Sequence, residues 1–372
     1  MKVGIDCRPL TRPHGGIGRY TLELVRRLVR QEGFVWYLYF STKPSDEVLS
    51  CLSVSNVNIY CAETNGALKE LYWYHVALPK LLRRDGVRFF WSPRHHLPAA
   101  LDRNIVALLT VHDFTWRFFP GTMRLFNYWS ERLQMPSSIG RADKIFCVSQ
   151  STCSELEAFY PAKKSFAVVV PCGTTVMTSE ASAVLDLPSS FLLFVGTPEP
   201  RKNLARILEA YAGLPNSMQL EYPLLIVGGH GWGVSLAKLV ARYGLQGKAI
   251  ILGSMSEGQL SYVYSRAKLL LMPSLYEGFG LPLLEGFQFG VPAVTSATGA
   301  LAEVAGDAAA LVDPLSSDDI RRGIMRLLES RAFYSRCSAQ ALVRVQKYSW
   351  DHSASAIAEY MLEESKKHNL SL

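Results

Sequence analysis

Residues 269–285 read LLLMPSLYEGFGLPLLE. The first four form an apolar run of strand length, Pro273 breaks it, and Pro282 stands where a helix begins. Gly278 and Gly280, in the loop between, let the backbone come close to a ligand. The free N–H groups of the helix start attract an anion. Glu277 sits on the loop and Glu285 about one turn into the helix, where it reaches a diol near the helix mouth. Two carboxylates at different depths beside a phosphate-binding helix start suit a nucleotide sugar; the alternative is a capped core helix with two surface glutamates.

Outward from this stretch, short β-rich runs alternate with longer segments of helical period, the pattern of parallel sheets built from βαβ units. Strand candidates in the first half are Lys2 to Cys7, Val35 to Phe40, Val57 to Cys61, Val87 to Trp91, Ile105 to Val111, Lys144 to Val148 and Ala167 to Val170, with helix-like stretches such as Gly18 to Gln31 between them. The series restarts with Phe191 to Val195, Leu224 to Val227, Ala249 to Leu252, Leu269 to Met272, Ala293 to Thr295 and Ala309 to Val312. Two doubly wound α/β domains follow, 1–175 and 188–350. A last helix within 353–372 is expected to join the first. In open sheets of this kind ligands bind at the C-terminal ends of the strands, so the chemistry is expected there.

The chain has 372 residues, 49% apolar and 19% charged, enough to bury a large core. No apolar run approaches the roughly 20 residues that span a bilayer, and Met1 to Leu10 reads as a strand carrying Asp6 and Arg8 rather than a signal peptide. A cytoplasmic protein is expected. Seven cysteines are scattered without CxxC or His/Cys ligand spacing, so buried free thiols are expected rather than disulfides or structural zinc. The net charge of +7 sits in one half: residues 1–180 hold 22 Lys and Arg against 15 Asp and Glu, and residues 181–372 hold 17 of each. A one-sided basic surface attracts phosphate on nucleic acid, anionic lipid or a phosphorylated substrate, and charge alone does not choose among them.

In its context EGFGLPLLE, the spacing of Glu277 and Glu285 resembles the signature of family 4 of the retaining GT-B glycosyltransferases. Similar elements occur in the expected order along nearly the whole chain: Gly15-Gly16-Ile17-Gly18-Arg19, Val111-His112-Asp113, Val148-Ser149, Phe194-Val195-Gly196, Arg201-Lys202-Asn203 and the Trp350 region. The resemblance implies a GT-B architecture, two Rossmann-like doubly wound domains facing across a cleft, the first binding acceptor and the second donor. It implies that Glu285 holds the donor ribose hydroxyls and Glu277 contacts the transferred sugar, while Phe279, Gly280 and Leu281 offer backbone N–H groups. Gly196, Ser254 and Met255 complete the donor-binding candidates in the second domain. Gly16 would meet the donor phosphates and the acceptor from the first domain; His112 and Asp113 end a strand and are expected to project into the cleft, and the resemblance puts His112 by the reacting sugar.

Arg201 and Lys202 follow the strand Phe191 to Val195 and precede a helix. There they would face the departing diphosphate, where cations do what a divalent metal does elsewhere. No DxD motif occurs, so no metal is expected. Positive charge opposes the dipole of a helix start, so an anion is expected beside the pair. The chain departs from the family at Thr197, where many members carry Arg; Arg201 is the candidate replacement. No carboxylate nucleophile stands out, and the resemblance implies a front-face reaction in which the leaving phosphate takes the acceptor proton.

Gly15-Gly16-Ile17-Gly18 is not the full GxGxxG fingerprint, which counts against an NAD enzyme. The segments 68–86 (LKELYWYHVALPKLLRRDG) and 114–133 (FTWRFFPGTMRLFNYWSERL) interleave aromatics with Lys and Arg, and two readings stand open: core helices with snorkelling cations, or a surface for a membrane or a lipid-linked acceptor. His14, His95 and His96 are either acceptor contacts or structural. GGIGRYTLEL and GTPEPRKNL resemble the bacterial mannosyl- or rhamnosyl-type members that build cell-surface polysaccharide such as lipopolysaccharide. This implies a hexose, mannose or a related sugar, from a GDP-sugar, an oligosaccharide or polyprenyl-linked acceptor, no cofactor or metal, and peripheral contact with the inner face of the plasma membrane. The rivals are a nucleotide-sugar epimerase or phosphorylase on the same fold, and a nucleic-acid binder using the basic half, against which the neutral second half and the lack of a nucleic-acid motif count.

Overall fold

The computed structural model describes residues 1–11, 15–177, 186–229, 231–233 and 235–367. The chain divides into two compact units, the first made of Met1–Phe118, Met123–Gly173 and Ser349–Leu372, the second of Phe119–Thr122 and Thr174–Tyr348.

Among the described residues the first unit has a parallel sheet of seven strands: β1 (Lys2–Asp6), β2 (Val35–Phe40), β3 (Val57–Cys61), β4 (Phe89–Ser92), β5 (Val106–Val111), β6 (Lys144–Cys147) and β7 (Ala167–Val169). Their spatial order is β3-β2-β1-β4-β5-β6-β7, a doubly wound arrangement that reverses between β1 and β4. The second unit repeats the plan with β8 (Leu192–Val195), β9 (Leu224–Val227), β10 (Ala249–Gly253), β11 (Leu269–Met272), β12 (Ala293–Ser296) and β13 (Ala309–Val312), in the order β10-β9-β8-β11-β12-β13. The central strands LLIV and LLLM are buried throughout because helices cover both faces of a parallel sheet, which is why they read as unbroken apolar runs. Each unit has its own core, Leu78, Phe90, Leu109 and Ile145 in the first and Leu192, Ile207, Leu271 and Ile324 in the second.

The first long helix spans Gly16–Leu28, two residues ahead of its expected start, because Gly15 is extended and acts as N-cap. Segment 68–86 forms the helices Ala67–Tyr72 and Leu78–Arg84 with a π-turn, Trp73–Ala77, between them. One face of it is core and another is exposed: Trp73, Tyr74, Leu78 and Leu82 are buried, while Leu68, Leu71, Tyr72 and Val76 face solvent. The helix Leu125–Arg141 divides likewise, with Met135 and Ile139 buried and Leu125, Phe126, Trp129 and Leu133 exposed.

The last helix, Trp350–Lys367, starts three residues before the expected Ser353 and packs in the first unit. Arg27 Nε donates to Asp351 Oδ1 at 2.8 Å, Ser353 Oγ donates to the Pro171 carbonyl at 2.8 Å, and the Tyr20 and Trp350 rings meet edge-on at 5.9 Å. Gly173 makes this return possible, since a Cβ there would lie 2.1 Å from the Trp350 backbone nitrogen. Gly173→Ala therefore forces backbone apart, and we expect it to destabilise the protein by about 1–3 kcal/mol. Thermal denaturation checks this; a melt equal to the parent's would show that the junction has slack.

Candidate active site

The second unit gathers most of the candidate side chains at the C-terminal ends of β8 and β11. After β8 the chain makes a short 3₁₀ turn, Pro200–Lys202, which ends at Asn203 in the left-handed conformation (φ 63°). Asn203 tolerates that geometry better than most residues and uses its amide to fix the turn. Its Nδ2 donates to the carbonyls of Pro273 at 2.9 Å and Pro314 at 2.7 Å, and the Leu275 N–H donates to the Arg201 carbonyl at 2.9 Å. The turn is thus fastened to the loop that follows β11.

That fastening brings both cations onto one carboxylate. Lys202 Nζ donates to Glu277 Oε1 at 2.6 Å and Arg201 Nη1 to Glu277 Oε2 at 2.6 Å. Arg201 also donates to the Tyr276 carbonyl at 2.9 Å and to Glu199 at 2.9 Å. Burial alone would raise the Glu277 carboxyl, but the two cations outweigh it and hold it down at about 2. The anion expected beside the basic pair is therefore part of the protein. Glu277, expected at the transferred sugar, has each oxygen engaged by a cation.

Past Glu277, Phe279 is buried edge-on against Tyr348, with ring centroids 5.4 Å apart. Gly280 has φ 118° and precedes the helix Leu281–Phe287, whose start no side chain caps. An alanine there would be strained in its backbone and would put Cβ 2.8 Å from Leu301. Glu285 is buried, and Tyr264 Oη donates to its Oε2 at 2.8 Å. Gly196 lies directly after β8, with the Lys202 stem passing 3.7 Å from where a Cβ would sit. Ser254 and Met255 follow β10, Ser254 facing Gly229. Arg201, Lys202 and Glu277 are thus in direct contact, whereas Glu285 is held separately by Tyr264.

Gly16 and His112 belong to the first unit. Gly16 opens the helix Gly16–Leu28. His112 directly follows β5; its ring is buried and meets Tyr20 edge-on at 5.0 Å. A hydrogen bond holds it there, since Nε2–H donates to the Pro93 carbonyl at 2.8 Å. Burial, with His95 beside it, pushes this ring down to about 4, so it is neutral at pH 7 and Nδ1 carries the lone pair. Asp113 caps the next turn, accepting the Thr115 N–H at 2.9 Å.

His95 and His96 are buried on Glu131, at 3.0 and 3.2 Å. His95 Nε2 accepts the His112 backbone N–H at 2.9 Å, so its Nδ1 carries the proton donated to Glu131. Both histidines thus belong to a buried hydrogen-bond network with Glu131. His14 lies outside the described residues. The residue-by-residue reading assigned nothing to Asn203, Tyr264 or Glu131, which position Lys202, Glu285 and His112. Only Asn203 left a local trace, as the residue after two cations at a helix start. The other two act from helices distant in sequence.

The geometry agrees with comparison to known proteins. Residues 178–344 match the family described as Glycosyl transferases group 1, and residues 14–176 the one described as Glycosyltransferase Family 4. The chain is 30% identical over 375 residues to O-antigen chain mannosyltransferase B of Escherichia coli, covering 95% of this chain and 97% of the relative. Among solved structures, sucrose-phosphate synthase from Thermosynechococcus elongatus superposes with a TM-score of 0.77 at 19% identity, covering 99% of this chain and 100% of that one. WaaG, a glycosyltransferase involved in lipopolysaccharide biosynthesis, superposes at 0.73 with 16% identity, covering 97% and 99%. These likenesses establish the GT-B fold. With a family match in each half and a relative 30% identical along nearly its full length, the chain belongs to the family 4 GT-B glycosyltransferases and is a glycosyltransferase.

Proposed function

We propose that the enzyme transfers a hexose, mannose or a related sugar, from a GDP-sugar to an oligosaccharide or lipid-linked acceptor in cell-surface polysaccharide synthesis, with retention of configuration and without a metal. The observation that carries this reading is the convergence of Lys202 and Arg201 on buried Glu277. Two cations held at the end of β8 answer the charge that grows on a diphosphate as its bond to the sugar breaks. Their partner Glu277 exchanges that contact for sugar hydroxyls when the diphosphate draws the cations away. Glu285, oriented by Tyr264, accepts the ribose hydroxyls. The acceptor hydroxyl attacks the anomeric carbon on the face from which the diphosphate departs, and the phosphate oxygen released takes its proton. The protein's part is orientation and charge stabilisation. Sugar and process follow the name of the 30% identical relative, an O-antigen chain mannosyltransferase.

We further place the enzyme at the anionic inner face of the plasma membrane. Leu125, Phe126, Trp129 and Leu133 fall within one arc of their helix at about 100° per residue, and all four are exposed, whereas Met135 and Ile139, outside that arc, are buried. Arg124 and Arg132 flank the stripe, the composition of an interfacial helix.

The ribose role predicts that Glu285→Ala weakens nucleoside diphosphate binding tenfold or more, since a hydrogen bond to a charged acceptor contributes about 1.5–3 kcal/mol. Tyr264→Phe keeps the carboxylate and should lose less. Calorimetric titration reads both, and unchanged affinity in Glu285→Ala would remove the glutamate from the ribose. Activity should survive EDTA, with added magnesium or manganese changing it little. Turnover abolished by chelation and restored only by a divalent ion would overturn the metal-independent mechanism.

For Lys202, a charge pair about 4 Å apart at an effective dielectric near 20 is worth roughly 4 kcal/mol. Loss of about 3 kcal/mol of transition-state stabilisation lowers kcat about a hundredfold at saturating donor. Lys202→Ala should show that loss, and Lys202→Arg should recover part of it. The substitution also leaves Glu277 with Arg201 alone. Because the folded-state value near 2 lies below the ordinary 4.5, this carboxylate adds stability above pH 4.5 that is lost as pH falls toward 2. Lys202→Ala should therefore melt lower than the parent at pH 7, with the difference shrinking in acid. Turnover within threefold of the parent would remove Lys202 from the site.

A further inference from the structure

A groove of about 460 Å³ opens in the first unit, between the segment that follows β3 and the helix Ala67–Tyr72 with its π-turn. Glu63, Thr64, Leu68, Lys69, Tyr72 and Trp73 line it. We infer that this groove is a subsite for the acceptor's own glycan, holding sugar units remote from the hydroxyl that reacts; the inference rests on the oligosaccharide acceptor proposed above.

Position is the first argument. All strands of the sheet are parallel, so the segment after β3 and His112 after β5 lie on the same edge. From β3 through β2, β1 and β4 to β5 there are four strand steps, roughly 19 Å at about 4.8 Å each. A linear glycan can lie along such an edge with its reacting end near β5.

Chemistry is the second. Small-molecule sites are mainly apolar with a few placed polar groups, and about 300–1,000 Å³ in volume. Here Tyr72 is 62% exposed and, with Leu68, offers an apolar surface to the C–H face of a pyranose. Trp73, 5% exposed, adds buried aromatic surface to the lining. Glu63 and Lys69 are both exposed, and neither forms an ion pair among the described residues. Thr64 spends its hydroxyl hydrogen on the Ser41 carbonyl at 2.8 Å and keeps its oxygen as acceptor.

Charge complementarity selects the occupant. One carboxylate and one ammonium sum to zero, which gives no attraction to a phosphate or an anionic bilayer. A polyprenyl chain would take the Glu63 carboxylate out of water without a partner. A neutral polyol meets both charges, since its hydroxyls donate to Glu63 and accept from Lys69.

Binding remote from the reaction is the same in ground and transition states, so it lowers KM and leaves kcat alone. The test is acceptor kinetics with mannose and mannose oligosaccharides of increasing length on the parent, Tyr72→Ala and the Glu63→Gln/Lys69→Met double variant, all at exposed positions. In the parent, KM should fall as the acceptor lengthens. In the variants, KM for long acceptors should rise about tenfold, with kcat, donor KM and the shortest acceptor's KM within twofold. A parent KM independent of length, or variants that keep the parent's length dependence, overturns the subsite while leaving the transferase reading intact. No transfer from any nucleotide sugar overturns that reading instead. Phosphatidylglycerol vesicle flotation and sedimentation run alongside. Lost vesicle binding or a lost dimer in the variants, with long-acceptor KM unchanged, assigns the groove to a membrane or a second copy and overturns the proposal.

Discussion

The second unit of this enzyme depends on one buried carboxylate held by two cations. Glu277 stays ionised away from water because Lys202 and Arg201 each donate to a different oxygen, and Glu277, with Glu199 on Arg201, offsets the repulsion between those cations. A buried pair of this kind contributes little net stability, and removing one partner is costly. What it supplies is position: two flexible basic side chains are held at the end of β8. Asn203 secures the arrangement from beneath by joining the turn to the loops after β11 and β13.

The same economy of position appears in the first unit, with different chemistry. His112 is neutral and fixed at both ends, its ring by the Pro93 carbonyl and its backbone N–H by His95. Protonating His95 at Nε2 would place a proton against that N–H, so Glu131 below it favours the tautomer that keeps the lone pair. Glu131 lies on the helix Leu125–Arg141, whose outer face carries the exposed apolar stripe. The helix that meets solvent with Phe126 and Trp129 is thus the one that orients the histidine after β5.

Both arrangements follow from parallel β-sheets. Every strand of a βαβ unit ends on the same edge, where backbone N–H and C=O groups are no longer used by the ladder. The loops there take up those groups with side chains such as Asn203 and His112. Each helix start after a strand presents further donors.

The sequence by itself determined the alternating βαβ plan, the two sheets, the EGFGLPLLE loop with its helix start, and the placement of Arg201 and Lys202 after a strand. These are local properties: strand and helix periodicity, proline and glycine positions, and the order of residues along a few turns. Tertiary structure alone decided that the anion beside the basic pair is Glu277, that Tyr264 meets Glu285, and that the His112 ring is held on the Pro93 carbonyl. It also decided which faces of 68–86 and 125–141 are core. The physical reason is the same in each case. A hydrogen bond or ion pair between elements 19 to 76 residues apart depends on how those elements pack, and packing distances leave no mark in the spacing of residues along the chain.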